Sequence, residues 1–256
     1  MGVVERKERE KEQRRSQILA AGEKLFLEKG YSGVTMDELA KTCELSKGTL
    51  YIYFKSKEEL FYTIRLKGLS ILYEMFNESV ESESTVLSKL LALGQMYLDF
   101  YYKHTTYFKI VNYFQEDYVS EKDEVKELKK QFLQKTNELW NEHVKIFEQG
   151  IKEKIFKKGF NLLEFAIIVW TSSNGIIQII DHIKSQKTLN KEKRDNWIFP
   201  DINFEEALWN LWKRLVSTIM VNPERINEIK RTGPIFFKNP HRFNSEKELY
   251  NVLEKK

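Results

Sequence analysis

The chain has 256 residues, of which 41% are hydrophobic and 31% charged, so it can bury a sizeable core as one large domain or two smaller ones. Its single cysteine, Cys43, excludes an intramolecular disulfide, and the first residues lack the apolar run of a secretory signal, so we expect a cytoplasmic protein. Residues 1–67 carry 14 Lys and Arg against 11 Asp and Glu, whereas residues 68–222 carry 20 against 22, which favours a nucleic-acid surface in the N-terminal region.

The first predicted helix has an apolar stripe that begins at Ile18. The helix is predicted to end at Gly30, because a glycine is typical of a helix terminus. Residues 5–15, before this stripe, are dense in mixed charge and either extend the helix or form a mobile arm. Arg14 and Arg15 could reach DNA phosphates, but a solvated helix start is the favoured interpretation.

Residues 34–59 carry three helix-start signals, with only a few residues between the helices that they imply. Thr35 and Glu38 form a capping box, Ser46 is suited to cap a second helix, and another capping box begins at Ser56. Two short capped helices with a third attached have the layout of a helix-turn-helix unit. DNA is therefore the leading candidate partner.

The second of these helices has one face for the core and one for a partner. Leu50 and Phe54 lie four residues apart and point the same way, which leaves Lys47, Thr49 and Tyr51 nearer the outside. A lysine, a hydroxyl and an aromatic ring at the front of a short helix suit the major groove. Lys47 or Thr49 alone would indicate only a solvated helix hairpin, but the complete segment favours DNA binding.

A resemblance to the tetracycline-repressor (TetR) family of transcriptional regulators is carried by G-Y-S-G-V-T-M-D-E-L-A at 30–40 and L-S-K-G-T-L-Y-I-Y-F-K-S-K-E-E-L at 45–60. The family commonly has Ala-Gly-Val in the turn, where this chain has Cys43, Glu44 and Leu45, so Glu44 must adopt a positive φ if that turn is kept. The resemblance implies base or phosphate contacts from six residues, and Gly48 permits close approach of the backbone. The predicted DNA-binding residues are Thr35, Lys47, Gly48, Thr49, Tyr51, Tyr53 and Lys57.

Beyond Ser56 no stretch is typical of a strand, and apolar residues recur at intervals of three and four. The chain is therefore predicted to be all-α, with an N-terminal three-helix helix-turn-helix domain followed by a larger helical ligand-binding and dimerisation bundle. The further helices are predicted near 57–80, 85–104, 106–117, 122–150, 161–185 and 203–221, with a short helix in the tail that opens at Ser245.

The middle of the chain is rich in aromatic residues, which is most simply a packed helical core. Two observations favour a binding cavity instead: tyrosine and histidine carry polar atoms that a dry core would have to satisfy, and the resemblance implies a regulatory domain that binds a small molecule. The expected ligand is apolar or aromatic with a few hydrogen-bonding groups. The predicted lining residues are Tyr97, Tyr101, His104, Trp140 and His143. Glu164 could hold a cationic group of the ligand, but a solvent-facing or salt-bridged side chain is the favoured interpretation.

The predicted helix at 161–185 is apolar around most of its circumference, so it must be covered on more than one side. Its run of polar residues makes it a poor membrane span. Paired with the helix at 203–221, it could form half of a four-helix bundle with a second subunit, as the resemblance implies; the alternative is one large monomeric core. The predicted dimer interface comprises Trp170, Ser173, Ile177, Leu208, Leu211, Trp212 and Leu215.

Sequence signatures of catalysis are missing, since there is no Gly-rich phosphate loop, no Glu-x-x-His pair and no Cys/His cluster. We therefore expect no enzymatic activity, metal or cofactor. The predicted domains are a helix-turn-helix domain over 1–56, a ligand-binding and dimerisation domain over 57–222, and a tail over 223–256.

The function predicted from the sequence is that of a homodimeric transcriptional regulator, a repressor, bound to a palindromic DNA operator. One short recognition helix reads few base pairs, which makes two-fold symmetry expected. A small apolar or aromatic ligand would release the protein by tilting the helix that begins at Ser56. The competing hypothesis is a ligand-independent, DNA-bound scaffold that recruits a protein partner.

Overall fold

The structure is a computed structural model that describes residues 3–112, 123–187 and 203–228. Within these ranges the secondary structure is helical, apart from one isolated antiparallel bridge between Phe156 and Met220. The all-α prediction is confirmed. The predicted helix at Ser245 and the end of the helix predicted near 106–117 lie outside the described residues.

The helices follow the predicted order closely. They are α1 (Val3–Gly33), α2 (Met36–Thr42), α3 (Lys47–Tyr53), α4 (Lys57–Glu81), α5 (Val86–Lys103), α6 (Thr105–Val111), α7 (Asp123–Lys152), α8 (Leu162–Lys187) and α9 (Phe204–Ile219), followed by a 3-10 helix at Pro223–Glu228. The backbone of α1 is non-helical at Gly30, with φ 69° and ψ 173°, so the helix proper ends where the glycine predicted it. Residues 5–15 are helical and extend α1.

The three predicted helix starts in the N-terminal region all have side-chain caps. The hydroxyl of Thr35 accepts a hydrogen bond from the amide of Glu38 at 3.2 Å. Ser46 accepts from the amide of Thr49 at 3.0 Å, and Ser56 accepts in the same way from the third residue after it at 3.1 Å. Each cap satisfies an amide that has no partner within its helix, so these helices begin at sequence-determined positions.

The buried apolar side chains form two cores. The N-terminal core is built from α1, α2, α3 and the beginning of α4, and its fully buried members are Ile18, Leu39, Leu50, Phe54, Leu60 and Ile64. The body core lies between the rest of α4 and the helices α5 to α9. Helix α4 contributes to both cores, and α6 adds Ile110 to the first and Phe108 to the second. The predicted boundary at residues 56 and 57 thus falls at the start of a helix that both cores share.

Helix α8 has one side that the described residues do not cover. Among the described residues, Leu162–His182 is the one stretch long and apolar enough to cross a membrane, and 22% of its most apolar part is buried. One such helix is weak evidence for a membrane, because core and interface helices of soluble proteins have the same composition. The large apolar side chains exposed on α8 are Leu163, Ile167, Ile168 and Ile179.

Candidate DNA-binding surface and ligand cavity

The short helix α3 presents its outer face beside the starts of α2 and α4. Leu50 and Phe54 are completely buried in the N-terminal core, as their spacing predicted. A groove of about 400 Å³ on the opposite side brings together four of the predicted DNA-binding residues, Thr35, Lys47, Tyr51 and Lys57. The other three, Gly48, Thr49 and Tyr53, lie on α3 beside this groove.

The two lysines of this groove have partners within the protein. The ammonium of Lys47 lies 2.6 Å from the carboxylate of Asp37, and the hydrogen bond and charge of Asp37 raise the pKa of Lys47. Lys57 donates to the backbone carbonyl of Tyr31 at 3.0 Å and lies 4.3 Å from the centre of its ring. Lys57 therefore holds α4 against α1, and an acidic side chain that we did not predict borders the groove.

The turn between α2 and α3 keeps the geometry for which a glycine would be favoured. Glu44 has φ 55°, in the left-handed region that side chains other than glycine rarely adopt. The amide of Glu44 donates to the carbonyl of Lys41 at 3.1 Å, and the amide of Leu45 donates to that of Ala40 at 2.9 Å. These bonds satisfy carbonyl groups at the end of α2 even though the turn residue is a glutamate and not a glycine.

The body core encloses a cavity of about 450 Å³. This volume lies within the range of small-molecule sites, about 300–1,000 Å³. Most of its wall is apolar. The wall includes Leu69, Leu72 and Phe76 of α4, Leu90, Leu93 and Met96 of α5, Phe132, Leu139 and Phe147 of α7, and Phe165 and Val169 of α8.

Three of the five predicted lining residues, Tyr97, Trp140 and His143, line this cavity. Tyr101 and His104 are not among the residues that line it. Tyr101 lies one turn further along α5, where its hydroxyl donates to Asp181 of α8 at 3.2 Å. His104 follows the end of α5 with non-helical backbone angles, so the helical spacing from Tyr97 does not carry it to the same wall. The predicted partner for a cationic group, Glu164, is exposed and outside the cavity wall.

The hydroxyl of Tyr97 is the centre of a polar network in the cavity wall. It accepts from the indole of Trp170 at 3.1 Å and donates to Asn174 at 2.9 Å, with Asn112 at 3.4 Å. Burial raises the pKa of Tyr97 to about 12, so the hydroxyl stays protonated at neutral pH. The buried polar atoms of this network therefore have their hydrogen-bond partners within the protein itself.

Four residues predicted for the dimer interface lie inside the chain instead. Ser173, Ile177, Leu208 and Trp212 are buried in the body, and the indole of Trp212 donates to Ser173 at 2.7 Å. Helix α8 is apolar on both sides, and composition does not tell which side faces its own core. Trp170 is in the cavity wall, and Leu211 and Leu215 are half-buried against the body core.

Sequence analysis also missed a charged residue in the cavity wall. Arg65 of α4 donates to the carbonyl of Val111 at 3.3 Å, and its guanidinium lies 4.1 Å from the centre of the Phe132 ring. A signal was present, because Arg65 lies four residues from Phe61 and from Leu69, within an apolar stripe.

A histidine supplies a second polar group to this wall. Nδ1 of His143 lies 2.8 Å from the carbonyl of Leu139. Burial lowers the pKa of His143, so its ring is neutral at pH 7. Since a carbonyl can only accept, Nδ1 carries the proton and Nε2 is a hydrogen-bond acceptor.

A polar cluster joins the two cores on one side of the molecule. Glu23 of α1 accepts from the hydroxyl of Tyr107 on α6 at 2.7 Å and pairs with Lys67 of α4 at 3.0 Å. The end of α6 also lines the cavity through Val111 and Asn112. Helices α4 and α6 thus connect the cavity physically to the helix-turn-helix unit.

Fold and site together define a helix-turn-helix protein whose helical body holds a cavity of ligand size. Residues 18–64 match the family model described as bacterial regulatory proteins, tetR family. This match covers the helix-turn-helix unit and supports a regulator of the TetR family.

Two curated transcriptional regulators match part of the chain. The chain is 33% identical over 93 residues to the HTH-type transcriptional repressor NemR of Escherichia coli (strain K12), which covers 36% of the chain and 47% of NemR. It is 28% identical over 111 residues to the activator FasR of Mycolicibacterium smegmatis, which covers 43% of the chain and 50% of FasR. The matches thus span about half the length of these curated relatives.

Similarity of fold extends over most of the chain. The structure of the transcriptional regulator FadR from Bacillus subtilis, solved in complex with stearoyl-CoA, matches with a TM-score of 0.58 at 18% identity. The match covers 80% of this chain and 98% of FadR. At this identity the similarity establishes the fold over most of the chain.

Proposed function

We propose that this protein is a homodimeric transcriptional repressor that binds a palindromic operator and is released from it by an apolar small molecule. The observation that carries the proposal is the course of α4. Its first turn borders the groove beside α3, and its later turns form a wall of the cavity. A single helix therefore contributes residues both to the proposed DNA-binding surface and to the proposed ligand site.

The DNA end of the proposal rests on the exposed face of α3. Lys47 and Tyr51 border the groove, and Ile52 is 67% exposed on the same helix. A large apolar side chain on such a face suits contact with a thymine methyl, and Tyr51 offers both a ring and a hydroxyl. Binding requires Lys47 to exchange its pairing with Asp37 for a phosphate or a base.

The ligand end rests on the shape and chemistry of the cavity. An apolar wall with a small number of polar groups is typical of a site for a largely apolar molecule. Among the described lining residues, Arg65 is the one side chain that is charged at neutral pH, and His143 offers an acceptor. The stearoyl-CoA bound by FadR is a precedent within the same fold for a long apolar ligand. Leu163 and Ile167 line the cavity and are exposed, which places an opening beside the start of α8.

Coupling between the two ends requires a ligand that fits two positions of α4 differently. Expansion of the cavity by a ligand would displace Leu69 and Leu72, and the rigid helix would carry this displacement to Lys57 at its start. The cluster of Glu23, Lys67 and Tyr107 would transmit the movement to α1. In a dimer such a movement changes the distance between the two copies of α3.

The dimer interface is proposed on the uncovered side of α8. Ile168, Thr171, Gly175 and Ile179 are exposed and recur at helical spacing along one line. Among the described residues, none outside the adjoining helix backbone lies within 4 Å of a Cβ added at Gly175, so the backbone of a second helix can approach it closely.

The DNA-binding part of the proposal is tested with a duplex selected by the protein itself from a random-sequence library. Replacement of Tyr51 by alanine should weaken binding to this duplex by about 1–3 kcal/mol, the scale of a good base contact. Tyr73→Ala, on α4 in the body, is the matched control and should leave affinity unchanged. Equal affinities of the Tyr51 variant and the parent protein, measured by fluorescence anisotropy, would remove α3 as the reading helix.

The ligand part is tested with two probes. The fluorescent apolar anion 1-anilinonaphthalene-8-sulfonate should bind in the cavity with increased emission, and stearate should displace it. The same stearate titration should release the labelled duplex. A duplex that stays bound while stearate occupies the cavity would support the ligand-independent scaffold instead.

A further inference from the structure

The first part of α1 extends far beyond the core on which the rest of that helix packs. We call residues 3–17 the N-terminal arm; the first buried residue after it is Ile18. At about 1.5 Å per residue the arm is about 22 Å long. A helix without an apolar face gains nothing from burial within its own chain, so its charge pattern is the property that can carry a function.

Four of the six basic residues of the N-terminal arm lie on the side that α1 turns toward the helix-turn-helix unit. At about 100° per residue, Lys7, Lys11, Arg14 and Arg15 fall within about 60° of the direction of Ile18, which is completely buried in the N-terminal core. The acidic residues fall about 80° or more away on the same measure. They are Glu5, Glu8, Glu10 and Glu12.

One ring contact and one electrostatic interaction place the base of the arm at the helix-turn-helix unit. The guanidinium of Arg15 lies 4.8 Å from the centre of the Phe54 ring, and Phe54 closes the C-terminal end of α3. Arg14 lies near Cys43 at the end of α2: burial raises the pKa of that thiol, and the charge of Arg14 acts in the opposite direction. The basic stripe therefore leaves from the ends of the two helices that hold the DNA-binding groove.

We propose that the N-terminal arm is a second DNA-contacting element, which places Lys7 and Lys11 against the phosphates of base pairs that flank the operator half-site. This inference rests on the proposed function, since it extends the surface that α3 presents to DNA. From Ile18 the arm reaches Lys7 in about 16 Å, which is about five base pairs at 3.4 Å each. Phosphate contacts carry no base information, so the arm adds affinity and salt dependence without changing the preferred sequence.

The test compares two double variants with the same change in charge. Lys7→Gln with Lys11→Gln removes two charges from the basic stripe, and Arg6→Gln with Arg9→Gln removes two from the far side of the same helix. Glutamine is a good helix former, and circular dichroism checks that the arm stays helical. Each variant is titrated at several salt concentrations against the selected duplex in two lengths, one with ten flanking base pairs on each side and one trimmed to the selected site.

We expect the Lys7 and Lys11 variant to bind the long duplex more weakly. Its salt slope should be lower by about 0.9 for each phosphate that is no longer neutralised, or about 1.8 per bound protomer. On the trimmed duplex it should match the parent protein, and the Arg6 and Arg9 variant should match the parent on both duplexes. Equal decreases in affinity from the two double variants would show a net-charge effect and overturn the arm contact, as would unchanged slopes. Failure of the library selection to yield any duplex would refute the proposed function itself.

Discussion

In the N-terminal core, Leu39, Leu50 and Leu60 are each completely buried and meet side chains of neighbouring short helices. In the body core, Leu72, Leu90 and other large side chains border a cavity of about 450 Å³. Both cores use the same aliphatic and aromatic residues, and α4 belongs to both. A DNA-reading surface needs its side chains held in one arrangement, whereas a ligand site requires space that the packing leaves open.

The largest expected effect tests this difference directly. Leu50→Ala should lower the free energy of unfolding by about 3–5 kcal/mol, because the surroundings are filled and the new void cannot collapse. Leu72→Ala should cost only about 2 kcal/mol, since this side chain already lacks neighbours on its cavity side. Urea unfolding of both variants provides the measurement. Equal decreases would mean that the two cores are packed alike.

A somewhat smaller effect tests how the body closes around its cavity. A Cβ atom at Gly94 of α5 would lie 1.2 Å from the ring of Trp212, so the ring and its hydrogen bond to Ser173 must shift. Gly94→Ala should therefore lower stability by about 2–3 kcal/mol, the cost of overpacking. Gly48→Ala on α3 is the control, because the near contact of a Cβ added there is the hydroxyl of Ser46 at 3.9 Å, an ordinary van der Waals distance. Unfolding midpoints that fall equally in both variants would contradict the close packing of α5 on α9.

The pH dependence of stability is a property of the body, because His143 and His104 both belong to it. Burial lowers the pKa of His143 in the folded protein, whereas in the unfolded chain it lies near the usual value of about 6.5. At acidic pH the unfolded state therefore binds more protons than the folded state. The contribution of His143 to the free energy of unfolding is fully present above about pH 6.5 and is lost as the pH falls below that value. His104, whose pKa is also lowered by burial, contributes in the same direction. His143→Gln should flatten the decrease in unfolding free energy between about pH 7.5 and 5, and an unchanged profile would contradict the burial of this ring.

The smallest expected effect concerns the backbone and should be the same in both regions. Glu44 in the N-terminal region has φ 55°, and Lys154 after α7 has φ 58°. Replacing either by glycine should raise stability by about 0.5–1 kcal/mol, because glycine adopts this conformation without strain. Lys41→Gly, inside α2, should lower it by about 1 kcal/mol. Thermal unfolding would detect these shifts, and a decrease in stability at Glu44 would show that its side chain has another role.

Local patterns account for the part of the site that could be predicted. Thr35, Ser46 and Ser56 each bond the amide three residues ahead, so their effect is contained in a few neighbouring residues. The same holds for the spacing of Leu50 and Phe54, which determines the outer face of α3. The cavity wall was predicted only in part, since Tyr97 and His143 come from helices whose crossing is a long-range property.

By itself the sequence determined the helices, the caps of the N-terminal helices and the outer face of α3, because each depends on interactions within one or two helical turns. Only the tertiary structure decided which side of α8 is buried, where Tyr101 points, and that Arg65 belongs to the cavity wall. These outcomes depend on which helices cross and how closely. Gly94 and Trp212, far apart in the chain, set one such crossing by fitting together.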